Sequence, residues 1–409
     1  MRIIQLLIVI LCIALFSSAC NKVNNDTSAA EVLSLSWDDI LAEARGKTLH
    51  LMMWQGDPLI NAYMQQYVIP ALKTQYDINL RITNGQGNVI VQALLGEIEA
   101  GRQRSELDLC WINGETFYQL RQIDALFGSF TDRLPNAQYI DFANPFIGKD
   151  FQQPVEGYEC PWGNVQMTII YDSAKVQAPP MTRTALLDFV KTNPEKFTFD
   201  NHFTGLTFLK ALLMDIAGGA TALNGPFDET KYTTYSAELW QYVNELKPYL
   251  WRQGRSFPEA VAPMHQLFAN GELWFTMSNN DCEVDNKILE GLFPNTARAY
   301  VPDFGTIQNS HYMGIPKLSA NKAAAMVVCN FLISPEAQYK KMDPQVWGDG
   351  TILNINALPT NWQEKFANLP NRRYAPKRSD IQPKALPELA PEYMMRLAED
   401  FRRYVINSF

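Results

Sequence analysis

Large aromatic rings and acidic groups occur at the ends of predicted strands, where a ligand could bind. The segment LHLMMWQGDPLI (49–60) is apolar up to Met53, continues with Trp54, Gln55 and Asp57, and then takes on the pattern of a helix. A tryptophan at the mouth of a strand, next to a glycine that allows close approach, is typical of a surface on which a planar group stacks. Packing of that ring between two lobes is the alternative.

Similar groups mark the other predicted strands. LDLCWING (107–114) ends in a tryptophan and an asparagine, PWGN (161–164) opens a long strand, and SNND (278–281) follows another. Indole rings can stack on a ligand, amides and hydroxyls can hydrogen bond to it, and carboxylates can pair with a cation. The structural alternatives are rings that brace strands, asparagines that favour turns, and acids that cap helices or stay solvated. The predicted ligand-binding residues are Trp54, Gln55, Asp57, Asn88, Trp111, Asn113, Glu115, Trp162, Asn201, Thr204, Asn279 and Asp281.

An enzyme is the main competing class, and the chain lacks the usual catalytic motifs. Neither HExxH nor GxSxG occurs, and the four histidines show no metal-ligand spacing. His50 lies in a predicted strand, which indicates a structural role, whereas His202 and His311 could reach a cleft and together support hydrolysis or metal binding. We predict no catalytic residue, no metal and no cofactor. A lipoprotein with a structural or adhesive role is a third class.

The first twenty residues predict export and lipidation. A positive start is followed by the apolar run IIQLLIVILCIALF (3–16), which is too short for a spanning helix, and then by SSAC. The small residues before Cys20 resemble a bacterial lipobox, although Ser17 departs from it; an ordinary signal peptide with an incidental cysteine is the alternative. We predict a signal peptide over 1–19 and a lipidated, flexible tether over 20–45 that holds the protein to a membrane in the periplasm.

Length and charge limit the class of protein further. Without its signal peptide the chain keeps about 390 residues, which is long for one core and normal for two lobes. Removing residues 1–19 takes away one arginine and no acid, so the net charge goes from −8 to −9. A nucleic-acid binder should be basic, so this balance argues against that class. The nine tryptophans provide enough rings to line a cleft.

Four cysteines fall in the predicted folded part: Cys110, Cys160, Cys282 and Cys329. None of them is in a CxxC or other metal-binding pattern. Because an exported chain meets an oxidising compartment, a disulfide between Cys110 and Cys160 is one interpretation. Buried free thiols are the other.

Strands and helices alternate along the chain. A strand at 48–53, a helix at 58–75, a strand at 78–84 and further pairs of this kind predict a parallel sheet with helices on both faces. Ligands bind outside the carboxyl ends of such strands, so the predicted site residues should meet at one edge. Two long strands, 162–171 and 308–314, are predicted to cross between lobes.

The order of these motifs resembles that of the substrate-binding proteins of bacterial ABC importers. After the lipobox come LMMWQG, LDLCWING, PWGNVQMTIIYDS, FTFDNHFTGLTFL, GELWFTMSNND and HYMGIPK. The chain is similar, more closely, to the YnjB-type group of these proteins, over about residues 45–409.

The resemblance implies a two-lobed α/β clamp of the type II periplasmic-binding-protein kind, with the ligand between the lobes. It assigns 46–165 and 306–409, including C-terminal wrapping helices, to lobe 1, and 166–305 to lobe 2. It also implies a small-molecule solute, an ABC permease in the inner membrane as partner, a monomer, and no nucleic acid.

The ligand is predicted from the same residues. Related binders take thiamine, polyamines or ferric iron. Three tryptophans and several acids at one edge favour a small organic cation of the thiamine or polyamine kind. Ferric iron fits less well, because those binders resemble one another in an adjacent tyrosine pair that this sequence lacks. A sugar is the rival, since sugars also stack on tryptophan and hydrogen bond to asparagine and aspartate.

Overall fold

Two main sheets and a short hairpin form the framework of the protein, whose computed structural model describes residues 29–407. The strands are β1 (Thr48–Met53), β2 (Asn79–Asn84), β3 (Leu109–Ile112), β4 (Lys149–Asp150), β5 (Gln153–Pro154), β6 (Glu159–Gln166), β7 (Thr168–Asp172), β8 (Phe275–Ser278), β9 (Ala297–Tyr300), β10 (Thr306–Gly314) and β11 (Ala385–Leu386). In the first sheet, β1 is parallel to β2 and β3, whereas β10 is antiparallel to β3 and β6. The predicted parallel sheet is therefore mixed, because the crossing strands enter it from the second lobe.

Helices cover the first sheet and build most of the second lobe. The α-helices are α1 (Ala29–Ser34), α2 (Trp37–Ala44), α3 (Pro58–Tyr63), α4 (Ile69–Tyr76), α5 (Asn88–Glu99), α6 (Glu115–Gln122), α7 (Arg183–Thr192), α8 (Phe203–Ile216), α9 (Glu229–Leu246), α10 (Val261–Ala269), α11 (Glu283–Leu289), α12 (Lys322–Leu332), α13 (Pro335–Met342), α14 (Thr360–Ala367), α15 (Arg378–Ile381) and α16 (Pro391–Phe401). A π-helical stretch, Met64–Val68, joins α3 to α4 just before Pro70, whose missing N–H breaks the regular hydrogen-bond ladder. Within residues 29–407, no helix is long and apolar enough to cross a membrane.

The first lobe encloses β1 and the apolar helix α12. Leu49, Leu51 and Met53 alternate along β1 and are fully buried, which is the period that a strand requires. Every residue of α12 from 323 to 332 is buried, so this helix lies inside the lobe rather than on its surface. Because β1 pairs with β2 on one side and with β3 on the other, it is held from both sides.

Residues 29–45 correct the prediction of a flexible tether over 20–45. They form α1 and α2, and the hydroxyl of Ser36 caps α2 by accepting the N–H of Asp39 at 3.2 Å. Val32, Ile40 and Ala44 are buried in the first-lobe core, where α2 packs on α12. The apolar residues within 29–45 recur at helical spacing, and burial of these side chains stabilises the two helices. The predicted signal peptide, Cys20 and the rest of the tether lie outside the described residues.

The second lobe is built on the antiparallel sheet of β8, β7 and β9. Its core includes α8, α9 and, from the end of the chain, α16. Tyr393, Leu397 and Phe401 of α16 are buried in that core. The prediction that placed 306–409 in lobe 1 therefore needs correction for α16, whose apolar stripe covers the second lobe.

The chain crosses between the lobes where the two sheets come closest. The predicted crossing strand at 162–171 is divided at Met167: β6 belongs to the first sheet and β7 to the second. The N–H of Met167 donates to Ile307 O at 2.9 Å, and its carbonyl accepts the Thr306 hydroxyl at 2.6 Å. The other predicted crossing, 308–314, lies entirely within β10, so the return crossing falls at 301–305.

The four cysteines of the described chain are free and buried. Cys110 lies on β3 opposite Gly314, and Cys160 lies on β6 opposite Met313. Strand β10 therefore separates them by two strand spacings, about 9–10 Å, which exceeds the reach of a disulfide. The interpretation as buried thiols is confirmed, and the Cys110–Cys160 disulfide is wrong.

Candidate functional site

Trp54 follows β1 at the edge of the first lobe, and its ring is partly exposed. Gly56 lies directly against the indole, since a Cβ at this position would come within 2.4 Å of ring atom Cε2. Gln55 donates its N–H to Asn84 Oδ1 at 3.1 Å, and its carbonyl accepts Asn61 Nδ2 at 3.0 Å. These bonds tie the turn to β2 and α3, so the ring stands on a fixed base.

A cluster of rings lies on the neighbouring strands of the same lobe. Trp111 contacts Trp162 at 5.0 Å between centroids, edge to face, and His311 at 5.0 Å. Trp347 completes the cluster and stacks on His311 at 5.8 Å. Trp111 is partly exposed, whereas Trp162 is 0% exposed. Only the Trp111 ring is therefore available to a ligand, and Trp162 braces it from behind, which was the structural alternative for Trp162.

Buried charges lie behind this ring cluster. Lys341 forms an ion pair with Asp349, and His311 Nε2 lies 3.1 Å from the same Asp349 oxygen. Burial acts to raise the pKa of Asp349, but the neighbouring His311 and Lys341 hold it below its ordinary value. Gly163 permits this approach, because a Cβ there would lie 2.0 Å from His311 Nε2. His311 is thus part of a buried charged group in the first lobe.

His202, the other histidine of the hydrolase alternative, is exposed at the start of α8 in the second lobe. Within the described part of the chain, no group of histidine, cysteine and acidic side chains is arranged to hold a metal ion. The two histidines therefore belong to different environments.

Asp57 is engaged by the protein itself. One carboxylate oxygen accepts the N–H groups of Leu59 at 2.8 Å and Ile60 at 3.1 Å, which caps α3. The other accepts Lys287 Nζ of α11 at 2.7 Å. The predicted ligand carboxylate thus serves as a helix cap and as one half of an ion pair between the lobes.

Asp281 is likewise saturated. Arg372 Nη1 lies 2.8 Å and Arg378 Nε 2.9 Å from its Oδ2, and Arg378 Nη2 reaches Oδ1 at 3.0 Å. Arg378 also donates to Gly348 O at 2.7 Å, which joins this group to the loop that carries Trp347. Asp281 is 1% exposed, so its carboxylate stabilises the loop rather than facing the cleft.

Glu115 differs from these acids. It begins α6 in the first lobe, and no donor among residues 29–407 hydrogen bonds to its carboxylate. Burial raises the pKa of Glu115, and the positive charges of Lys210 and His202 in the second lobe act in the opposite direction. Lys210 is already paired with Glu388, whose second oxygen accepts Asn309 Nδ2 at 2.8 Å. Glu115 is therefore an incompletely paired acid at the interface of the lobes.

The second-lobe wall carries short polar groups. Asn279 Nδ2 donates to the buried Thr204 hydroxyl at 3.1 Å, which links the end of β8 to the first turn of α8. Asn201, just before α8, and Asn88, which begins α5 in the first lobe, are exposed, and Asn113 is partly buried at the end of β3. These amides and the hydroxyl can act as donors and acceptors for a polar solute.

The predicted residues thus fall into three groups. Those at the first-lobe edge are Trp54, Gln55, Asn88, Trp111, Asn113 and Glu115; those on the second lobe are Asn201, Thr204 and Asn279; those engaged or enclosed inside the protein are Asp57, Trp162 and Asp281.

Sequence reasoning missed the charged partners and one of the rings. The residues missed are Lys210, Lys287, Lys341, Trp347, Asp349, Arg372, Arg378 and Glu388. One signal was present: WGDG (347–350) repeats the tryptophan, glycine and aspartate of WQGD (54–57). The lysines and arginines carried no such signal, because each pairs with a residue that is distant in sequence or hidden by the fold.

Known proteins share this architecture. Residues 66–370 match the family of bacterial extracellular solute-binding proteins. Protein YnjB of Escherichia coli K12 is 38% identical over 334 residues, which cover 81% of this chain and 86% of YnjB. The predicted YnjB-type relationship is confirmed.

Solved structures at low identity share the fold alone. The spermidine/putrescine ABC transporter substrate-binding protein PotD of Streptococcus pneumoniae has a TM-score of 0.59 at 16% identity, over 88% of this chain and 99% of PotD. The periplasmic binding protein AfuA of Actinobacillus pleuropneumoniae, solved with fructose-6-phosphate, has a TM-score of 0.60 at 12% identity, over 88% and 98%. Iron-bound HitA of Pseudomonas aeruginosa has a TM-score of 0.59 at 16% identity, over 88% and 99%. The predicted type II-like fold is confirmed.

The family match extends over more than half of the chain, and the relative at 38% identity covers most of it. This protein therefore belongs to the bacterial extracellular solute-binding proteins, the exported substrate-binding subunits of ABC transporters, and it is not an enzyme.

Proposed function

We propose that this protein captures a small organic cation between its lobes and delivers it to an ABC permease in the inner membrane. It acts as a monomer held to the membrane by a lipid on Cys20, and it uses no cofactor. The chemistry of the cleft supports the ligand class, and the sequence of the first twenty residues supports the anchor.

The observation that carries the ligand class is the state of Glu115. Glu115 is half-buried, and a carboxylate that is partly removed from water gains from a compensating charge or from hydrogen bonds. Asp57 and Asp281 have both within the protein, whereas Glu115 has no donor among the described residues, and Lys210, which acts on its pKa, is already paired with Glu388. A cationic group of the solute would supply the missing partner.

The rings support the same ligand class. Trp54 and Trp111 are partly exposed on adjacent strands of the lobe that carries Glu115. A cation over an indole face gains about 0.5–2 kcal/mol, and more when closure of the lobes excludes water. A solute with a positive centre and a planar or methylene-rich body would use the rings and the carboxylate together.

A neutral sugar is the second candidate, because Asn113, Asn279 and Thr204 offer hydrogen bonds beside the same rings. The two classes differ in their dependence on charge. Affinity for a cation should fall as salt rises and should require the Glu115 carboxylate, whereas affinity for a sugar should hardly change.

Native mass spectrometry of the purified protein, followed by a thermal-shift screen, tests the ligand class. The panel contains thiamine, spermidine, a quaternary amine, amino acids and neutral sugars, and we expect shifts with one or more of the cations. Glu115→Gln should abolish those shifts, while Glu156→Gln, which alters a surface ion pair with Arg121, should leave them unchanged. A shift confined to neutral sugars would overturn the proposed ligand class.

The anchor is tested separately. Cys20→Ala should release the protein from membranes without changing solute binding, because the predicted ligand-binding residues all lie between 54 and 281. A wild-type protein that is already soluble in the periplasm would contradict the lipid anchor.

A further inference from the structure

The ion pair between Asp57 and Lys287 connects the two lobes directly beside the tryptophan surface. Asp57 lies in the turn after β1 in the first lobe, and Lys287 lies on α11 in the second. Their charged atoms are 2.7 Å apart, and the side chains are only 9% and 6% exposed. An ion pair that is nearly excluded from water is retained only when both partners are held in place.

Lys287 is held firmly on its own side. Glu283, on α11, lies 3.4 Å from its Nζ atom, and Glu290, which caps the C-terminal end of the helix, lies 3.2 Å from it. Burial alone would lower the pKa of Lys287, but Glu283 and Asp57 raise it above its ordinary value. The second lobe thus presents a fixed, charged ammonium to the first lobe.

Asp57 in turn fixes the ring of Trp54. Its carboxylate caps α3, and Gly56 between the two residues lies against the indole. Gln55 is tied to Asn84 and Asn61, so the turn 54–57 has little freedom to move one residue without the other. A force on Asp57 is therefore transmitted to the position of the Trp54 ring.

A second contact of α11 reaches the other ring surface. Asn286, next to Lys287, donates its Nδ2 to Trp347 O at 2.7 Å. Trp347 lies 6.1 Å from Trp111, between ring centroids. The same helix of the second lobe thus supports both rings that a solute could contact in the first lobe.

We propose that α11 is a positioning element for solute capture: Lys287 and Asn286 engage Asp57 and Trp347 as the lobes close, and these contacts set the rings of Trp54 and Trp111. Because the partners lie on different lobes, opening separates them and releases the rings. Closure and assembly of the stacking surface are then one event. This inference rests on the proposed function, in which the rings receive the solute.

Fluorine NMR of protein labelled with 5-fluorotryptophan tests the positioning step without any solute. Trp54→Phe and Trp111→Phe assign the two resonances. We expect Asp57→Asn to shift or broaden the Trp54 resonance, because asparagine keeps the cap of α3 but removes the charge that Lys287 binds. Lys287→Met should have the same effect, and circular dichroism verifies that both variants are folded.

Asp303→Asn is the matched control, since it removes a carboxylate from an ion pair with Lys384 that lies outside both α11 and the turn 54–57. It should leave the Trp54 resonance in place. If Asp57→Asn leaves that resonance unchanged, or if Asp303→Asn moves it equally, the inference is overturned. Should Lys287→Met fail to fold, Asp57→Asn decides alone.

Binding of a cation that gives a shift in the screen, thiamine or spermidine, provides the second readout. Lys287→Met should weaken its binding about fivefold or more in the wild-type background and hardly at all in Trp54→Ala, because coupled residues are not additive. Equal losses in both backgrounds would overturn the positioning role. The NMR result does not depend on any solute, so a screen without a cationic hit rejects the proposed function while the NMR result still decides the positioning step.

Discussion

The two flanks of the cleft use charge in opposite ways. On the tryptophan flank, formed by Trp54, Asp57, Asp281, Trp347, Asp349 and α11, the buried acids have partners at hydrogen-bonding distance. On the Glu115 flank, formed by Glu115, Lys210 and Glu388, the lysine is paired with Glu388, and Glu115 has no donor of its own among the described residues.

In the proposed function, paired charges hold the two lobes together, and a different, incompletely paired charge recognises the solute. Removing one partner of a complete, buried ion pair is strongly destabilising, so such pairs fix the geometry around them. Their charged atoms are already bonded and are not available to a ligand. An incomplete group gains most from a ligand that completes it. The tryptophan flank should therefore control stability and shape, and the Glu115 flank should control affinity.

The largest effect is expected on the free energy of unfolding, when an acid of the tryptophan flank is removed. Asp281→Ala leaves the guanidinium groups of Arg372 and Arg378 without their shared carboxylate, and it should lower the free energy of unfolding by about 3–5 kcal/mol. Denaturant unfolding measures this. Asp303→Ala, which removes an exposed partner of Lys384, should cost about 0–1 kcal/mol. Equal losses in the two variants would show that the Asp281 group is not a structural centre.

The next largest effect is expected on solute affinity, when the acid of the Glu115 flank is changed. Glu115→Gln should weaken binding of a cationic solute at least tenfold, which corresponds to about 1.4 kcal/mol. The free energy of unfolding should not fall, because the carboxylate has no internal hydrogen bond to lose. Isothermal titration at two salt concentrations checks both the loss and its electrostatic origin. Unchanged affinity in this variant would remove the distinction between the flanks.

The smallest effect is a difference in pH dependence. Burial raises the pKa of Glu115, and it raises that of the nearby Asp150 and Glu159 well above the ordinary range. A raised carboxyl pKa contributes stability below the ordinary value of about 4.3 and loses it as pH rises through the folded-state pKa. Unfolding free energy should therefore increase as pH falls through these raised pKa values. Cation binding should weaken as pH falls through the raised pKa of Glu115, because a protonated Glu115 carries no charge.

On the tryptophan flank, the pH dependence of stability has the opposite sign. The pKa of Asp349 is held below its ordinary value by His311 and Lys341, although burial opposes them. Its stability contribution is present above the ordinary value and is lost only as pH falls below it. Unfolding and titration measured from pH 3 to 7 check both signs, and Glu115→Gln should flatten the binding curve. Binding that strengthens toward pH 5 would contradict the role of Glu115.

The sequence predicts elements well where the signal is local. The strand predicted at 48–53 is β1. Its alternation of buried and less buried side chains follows from the order of consecutive residues, so it can be recognised in the sequence. The strand predicted at 161–173 is divided at Met167, because its two halves join different sheets. Such a division depends on partners that lie over a hundred residues away and leaves no trace in the local pattern.

The site was predictable to a similar degree. Strand ends in a parallel sheet placed Trp54 and Glu115 correctly at one edge. The partners of the other acids were not predictable: Lys287 lies 230 residues from Asp57, and nothing in its surroundings in the sequence marks it. Whether an acid is paired inside the protein is therefore decided by the fold and not by residue type.

The helices within residues 29–45 also bear on the distance between the protein and the membrane, if a lipid on Cys20 anchors it as proposed. Eight residues, 21–28, separate Cys20 from α1. Fully extended, they reach about 30 Å at most. A lipid on Cys20 would therefore confine the protein to a shallow layer above the bilayer, and its encounters with a permease would take place by lateral diffusion within that layer.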